Sequence, residues 1–378
     1  MRRIGIAEIA KLANVSKGTV DRAMHNRGRI SDETQRRVLA SAEQLGYRPN
    51  LAARALSAGP GSIPIGVCIP REIVSYFDQI RDGILDEARR FEDLGLTVYY
   101  NPIERLGSDE VRAFRKMMES GYRGIIITPG NPALLTPLID EAEDRGIRVV
   151  CVDSDAPLSR RSAGACVDAE ASGRLAAELL GRFVAPNSEV AIVTGMLLTD
   201  DHRKRVKGFS ELFNQICPGG QVAEIIEAHD DEDEAFQKCH KMLQERPSIS
   251  GLYISTANCL PVCRAIFALG LSNRVKVVAS DLFPEMIPYF EKGIIAASIH
   301  ARPFAEGRLA VRMLVDEILN RRRPDRDHYL APQVVTRSTL HLFREIRKGQ
   351  PEDFLESAGQ PGMNGTTYEV DHNPRRPT

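Results

Sequence analysis

The residues near the N-terminus best suited to chemistry are cations and small polar groups lying along one short stretch. In KGTVDRAMHN (17–26), Val20, Ala23 and Met24 recur at helical spacing, which leaves Lys17, Gly18, Thr19, Arg22 and Asn26 on the other side. Ammonium, guanidinium, hydroxyl and amide groups on one face are the donors that reach phosphates and base edges. The charge distribution agrees. Met1 to Ser62 carries a net +6, whereas the whole chain carries −1, so the remainder stands at −7. Such asymmetry asks for an anionic partner at the head alone, nucleic acid being the usual one. A small three-helix protein-interaction module with a solvated basic surface is the competing reading.

Other groupings point to less. The run HDDEDE (229–234) lacks the spaced glycine and closing glutamate of a calcium loop and reads as a solvated loop or helix start. Cys259 and Cys263 stand four apart with no histidine at zinc spacing, and His240 beside Cys239 is incidental. The seven cysteines are scattered and mostly set in apolar runs, which suits buried thiols in a reducing cytoplasm. GxGxxG, GxxxxGK[ST] and GxSxG are all missing, so no enzyme, cofactor or metal is expected. No apolar run reaches about 18 residues, and the start lacks the apolar core of a signal peptide, so neither membrane spanning nor export is expected.

These residues need elements to hold them. Ile6, Ile9, Ala10 and Ala13 predict a first helix, Ser16 caps a second, and Ser31 followed by Asp32 and Glu33 opens a third. The third helix should turn Val38, Leu39, Ala42 and Leu45 inward and end at Gly46. Two short helices about three residues apart make a helix-turn-helix. From Ile63 the pattern changes to near-continuous apolar runs at 63–69, 96–100, 124–128, 148–153, 189–195, 251–255, 276–280 and 294–299, mostly separated by stretches long enough for a crossover helix. That is parallel β-α-β organisation in two halves, in a chain of 378 residues that is 43% hydrophobic.

The stretch IAEIAKLANVSKGTVDRAMHNRGRISDETQRRVLASAEQLGYRPNLAARALS resembles the LacI/GalR family of bacterial transcription regulators along its whole length. The resemblance implies that the second helix lies in the major groove, with Lys17, Gly18 and Arg22 reading base edges and Ser16, Thr19 and Asn26 touching phosphates. Asp21, where the family commonly has serine, and Gly18, where it has a larger side chain, are departures that leave the operator sequence open. YRPNLAARALSAG resembles the family's hinge helix, which implies that Leu56 wedges between base steps from the minor groove while Asn50, Ala53 and Arg54 lie near the DNA backbone.

Residues 63–341 resemble the two Rossmann-like lobes of the periplasmic sugar-binding-protein fold. The expected organisation is a helix-turn-helix head (1–48), a hinge and linker (49–62), a two-lobed effector domain (63–341) and a disordered tail (342–378). The first lobe takes about 63–167 and 303–325, and the second about 168–300 and 329–341. By the same resemblance the effector lies between the lobes against Tyr76, Phe77, Asp153, Arg203, Asn258 and Asp281, with Arg302 where glutamine is common. Two guanidiniums, Arg203 and Arg302, suggest a sugar acid or phosphosugar; pairing of Arg302 with Asp281 or Asp153 would instead leave a neutral sugar. The expected partners are double-stranded operator DNA, that small molecule and a second copy of the chain, as in a homodimeric cytoplasmic repressor. Two rivals remain: a free sugar-binding protein, which would have no DNA head, and an α/β enzyme, which would need a nucleophile or cofactor loop.

Overall fold

The computed structural model describes residues 6–24, 30–44, 62–326 and 329–344. The head contains α1 (Ile6–Leu12), α2 (Lys17–Met24) and α3 (Asp32–Gln44). Ile9, Ala10, Ala13, Val20, Ala23, Val38 and Ala42 form its core, with Val15 and Ile30 beside it. Asn14 takes a left-handed φ of 50° to turn the chain between α1 and α2, a conformation that asparagine tolerates. Ser16 then caps α2, its Oγ accepting from the Thr19 amide at 3.0 Å. One inward position is corrected: Leu39 is 46% exposed. Val38 and Ala42, four apart, set the buried line of α3, and Leu39 lies about 100° round the helix from Val38. Leu45 and Gly46 lie outside the described residues.

The first lobe is a five-stranded parallel sheet in the order β2-β1-β3-β4-β5. Its strands are β1 (Ile63–Cys68), β2 (Leu96–Tyr100), β3 (Gly124–Ile127), β4 (Arg148–Val152) and β5 (Ala163–Ala165). They are linked through α4 (Val74–Arg89), α5 (Glu110–Glu119) and α6 (Pro132–Asp144). The second sheet runs β11-β10-β9-β8-β6-β7. Here β6 (Glu189–Thr194), β7 (Gln221–Glu227), β8 (Ile249–Ile254), β9 (Lys276–Ser280) and β10 (Ile295–His300) are parallel, and β11 (Gln333–Val335) adds antiparallel to β10. Its helices are α7 (Ala169–Phe183), α8 (Asp200–Ile216), α9 (Glu232–Glu245), α10 (Leu260–Ala268) and α11 (Ile287–Glu291).

All eight expected strands are present. Three more were not legible: β5 and β11 are only three residues each, and β7 is an edge strand whose apolar residues are interrupted by Glu224.

The chain crosses between the lobes after β5, after β10 and after α12 (Pro303–Asn320). Two crossings pair with each other: Leu330 donates to the Cys166 carbonyl at 2.9 Å and its carbonyl accepts from the Asp168 amide at 3.2 Å. Although α12 follows the second lobe in sequence, it packs on α4, where Arg308 and Arg312 reach Glu87 at 2.9 and 2.7 Å. Gly307 permits that approach, since a Cβ there would strike the Ile80 carbonyl. From Thr339 the chain forms a separate unit, described by the short helix α13 (Leu340–Arg344). Residues 342–344 are therefore helical where a tail was expected, and 345–378 lie outside the described residues.

Candidate functional site

Parallel sheets expose backbone and short polar side chains at the carboxyl ends of their strands, and in this chain those ends face each other across the lobes. Asp153 follows β4, Asp281 follows β9 and Arg302 follows β10. All three adopt left-handed φ, at 67°, 64° and 61°. Each such conformation costs about 1 kcal/mol for a non-glycine residue, and such costs concentrate at functional turns.

Tyr76 on α4 is buried and donates its hydroxyl to Asp153 Oδ1 at 2.5 Å. Phe77 packs edge-on against Tyr76, with ring centroids 5.2 Å apart. Asp281 Oδ1 accepts from the Ala301 amide at 3.0 Å. Asn258, after β8, is buried, and its Nδ2 has no partner among the described residues. Tyr76, Asp153, Asn258 and Asp281 thus stand at strand ends or beside them.

Arg203 does not join them. Its side chain is 58% exposed and pairs with Asp200 at 2.6 Å. Arg205 takes the inward place: it is only 4% exposed, donates from one terminal nitrogen to the Ser255 carbonyl at 3.0 Å, and holds the other 3.8 Å from Asp201. The helical phase of α8 explains the correction. Asp201, Arg205, Gly208 and Phe209 follow one buried line, whereas Arg203 and Lys207 lie on the wet side. The spacing of Asp201, Arg205 and Phe209, four apart each time, was the signal available in the sequence. Arg302 is half-buried and, among the described residues, makes no ion pair with Asp281 or Asp153. The paired guanidiniums that suggested an acidic effector are therefore not assembled.

The electrostatics follow from burial. Desolvation pushes the Asp153 carboxyl up to about 7, helped by Asp201 and opposed by the Tyr76 hydroxyl and Arg205. Asp281 is also raised by burial, with Arg205 and His300 pulling the other way. Burial likewise acts upward on Asp201, but His202 and Arg205 outweigh it and leave that carboxyl lowered. Glu306 on α12 is buried and raised strongly by desolvation and by Asp153 and Asp281. Sequence reading missed Glu306 because its place depends on α12 returning to the first lobe. A cavity of about 320 Å³ adjoins the cluster on the side of the crossing segments, lined in part by Asp153, Asp201, Lys204 and Tyr329. The lobes also touch directly, Arg105 reaching Asp231 at 3.1 Å and Gln79 reaching the Leu282 carbonyl at 3.3 Å. Carboxylates that accept, with Arg205 and Asn258 that donate, suit a molecule bearing several hydroxyls.

In the head, Ser16, Lys17, Gly18 and Arg22 are exposed and Thr19 is half-buried. Arg22 folds back on its own helix, its Nε donating to the Gly18 carbonyl at 3.2 Å. Space around Gly18 is open: a Cβ there would meet only Ser16 Oγ, at 3.8 Å. Asn26, Asn50, Ala53, Arg54 and Leu56, and the side chain of Asp21, lie outside the described residues. Among the described residues no cluster of His, Cys, Asp and Glu is arranged to hold a metal, and no helix is long and apolar enough to cross a membrane.

Comparison with known proteins gives two family matches. The family described as "Periplasmic binding protein domain" matches residues 65–321, and "Bacterial regulatory proteins, lacI family" matches residues 5–50. Catabolite control protein A of Priestia megaterium is 25% identical over 258 residues, 67% of this chain and 74% of that protein. The transcriptional repressor PurR of Aliivibrio salmonicida is 24% identical over 341 residues, 89% of this chain and 98% of its own. Among solved structures, a glucose-galactose binding protein from Geobacillus stearothermophilus is 28% identical, with a TM-score of 0.68 over 74% of this chain and 99% of that one. A solute-binding protein from Burkholderia graminis in complex with D-arabinose is 24% identical, with a TM-score of 0.70 over 75% and 98%.

Proposed function

The chain belongs to the periplasmic-binding-protein-domain family and carries a lacI-family head, and from that premise we propose that it represses transcription as a homodimer until an effector enters its cleft. That it is a ligand-responsive transcriptional regulator with a sugar-binding type of sensor follows from the two matched domains and the relatives that share both. One observation carries the reading: an exposed Lys17–Arg22 face and a cleft of buried hydrogen-bonding groups lie in one polypeptide. A free sugar-binding protein has no use for the former. One head reads one half-site, so two chains on a near-palindromic operator are the natural unit, and the place of action is the cytoplasm.

The effector is proposed to be a sugar or sugar derivative held by Tyr76, Asp153, Arg205, Asn258 and Asp281. Its binding changes how the lobes meet and hence how the two heads are spaced. The test is selection of genomic fragments on the purified protein, then fluorescence anisotropy on the winning duplex across salt, with and without a sugar panel. Log affinity should fall linearly with log salt, by about 0.9 per phosphate contacted. A flat salt dependence removes the DNA reading, and an operator affinity indifferent to every compound that binds the cleft removes the regulatory one.

A further inference from the structure

The cleft holds more buried carboxylates than cations to match them. Asp153, Asp281 and Glu306 are all at least nine-tenths buried, and among the described residues none of the three has a basic side chain within 4.0 Å. Arg205 serves the cluster, but its nearest carboxylate is Asp201 and its Nε has no partner among the described residues. Glu306 uses one oxygen to accept from the Val167 amide at 2.9 Å, and its other oxygen, fully buried, has no partner among the described residues. Asp153 also borders the cavity, where two other lining carboxylates are matched by cations. Asp155 pairs with Arg161, and Asp200 with Lys204 at 2.6 Å.

A buried carboxylate is costly to charge without a counter-ion. Hydroxyl groups of a neutral sugar can donate to these oxygens, but they bring no charge; an ammonium donates three hydrogen bonds and brings one. We propose that the effector carries a protonatable amine beside its hydroxyls, as an amino sugar or amino polyol does, and that Asp153 receives the ammonium while Asp281 and Glu306 supply further accepting oxygens. This rests on the reading of the cleft as the effector site. The upward shift of Asp153 toward about 7 adds a consequence. Binding an ammonium draws its proton off, so protons are released and affinity rises with pH until the ligand amine itself begins to lose its charge. The groups facing Asp153 are Tyr76 from α4, Cys166 after β5, Asp201 and Arg205 from α8, Asp281 after β9, and Glu306 on α12.

The experiment is titration calorimetry of the full chain at pH 6 and pH 7.5 in buffers of different ionisation enthalpy. The probes are 2-amino-2-deoxy-D-glucose, 2-amino-2-deoxy-D-galactose and an inosamine, each against glucose, galactose or myo-inositol. At least one amine should bind about tenfold or more tightly than its neutral counterpart, a gap of about 1.4 kcal/mol, with net proton release. Asp153→Asn should erase both the gap and the release, whatever it does to the affinity of the neutral counterpart itself. Glu306→Gln should narrow the gap, and it serves as the working variant if Asp153→Asn does not fold. Neutral sugars binding as well as their amines would overturn the inference and leave the sugar sensor standing, and so would a gap that survives both substitutions. Silence from every probe, amine and neutral alike, would overturn the inference and the sugar effector together.

Discussion

Arg203 and Arg205 are two residues apart on α8, and a turn of about 200° between them sends one to solvent and the other into the cleft. Their substitutions should therefore separate. Arg205→Ala removes the guanidinium that Asp201 and Asp281 share, leaving only the His202 and His300 imidazoles beside them, and should cost about 3 kcal/mol in stability, with effector affinity lost by about a hundredfold. Arg203→Ala removes an exposed pair and should change either quantity by less than about 0.5 kcal/mol. Calorimetric unfolding and effector titration of the two variants check this, and equal effects would return Arg203 to the site. A second expectation concerns pH. Asp153 and Glu72 are both raised by burial to about 7, from ordinary values of 3.8 and 4.5. The folded state then holds protons that the unfolded state has released, so the stability these groups contribute is full below about pH 4 and is lost as pH rises through about 7. Scanning calorimetry without effector should give a lower Tm at pH 8 than at pH 5.5, with the difference reduced in Asp153→Asn. The lowered carboxyls, such as Glu87, titrate below this window and do not mask it.

Among the elements, contact between α7 and α8 carries most weight for the cleft. Gly173 on α7 lies where a Cβ would strike the Arg205 carbonyl, so the side chain that organises the site hangs from a backbone held in place by a glycine. Gly173→Ala should destabilise the second lobe by about 1–3 kcal/mol and weaken effector binding as α8 shifts, although Gly173 itself lies outside the carboxylate cluster. Thermal unfolding and effector titration together test this; lost stability with unchanged affinity would mean that Arg205 is not positioned through α7. In the head, Ser16→Ala removes the acceptor for the Thr19 amide and should cost about 1 kcal/mol at the start of α2. DNA affinity should fall with it, since Lys17 and Arg22 depend on that helix.

For the whole molecule, ligand binding must act through contacts that differ between arrangements of the lobes. The Arg105–Asp231 pair bridges the lobes, but with side chains 60% and 35% exposed it is a weak fastening. Arg105→Ala should lower effector affinity by no more than about fivefold, an effect of up to about 1 kcal/mol. Linkage requires that operator DNA change effector affinity by the factor by which effector changes operator affinity, with the same sign. Titrating effector into the free protein and into its operator complex measures this, and unequal factors would show that more than one coupled equilibrium is in play.

Read without its fold, the chain already declared a helix-turn-helix and two parallel α/β halves, because helix caps, apolar periodicity and short buried strands are properties of neighbouring residues. Ser16, Val20, Asp153 and Asp281 were legible on those grounds or by family pattern. What only the tertiary structure decided is which side chains share the cleft. Arg205 rather than Arg203 faces inward because α8 packs with that phase against α7 and the second sheet. Glu306 joins Asp153 because α12 crosses back to the first lobe and lies along α4. The unmatched charge of the cleft arises from both placements, and charge balance in a buried space depends on distances that no local spacing along the chain records.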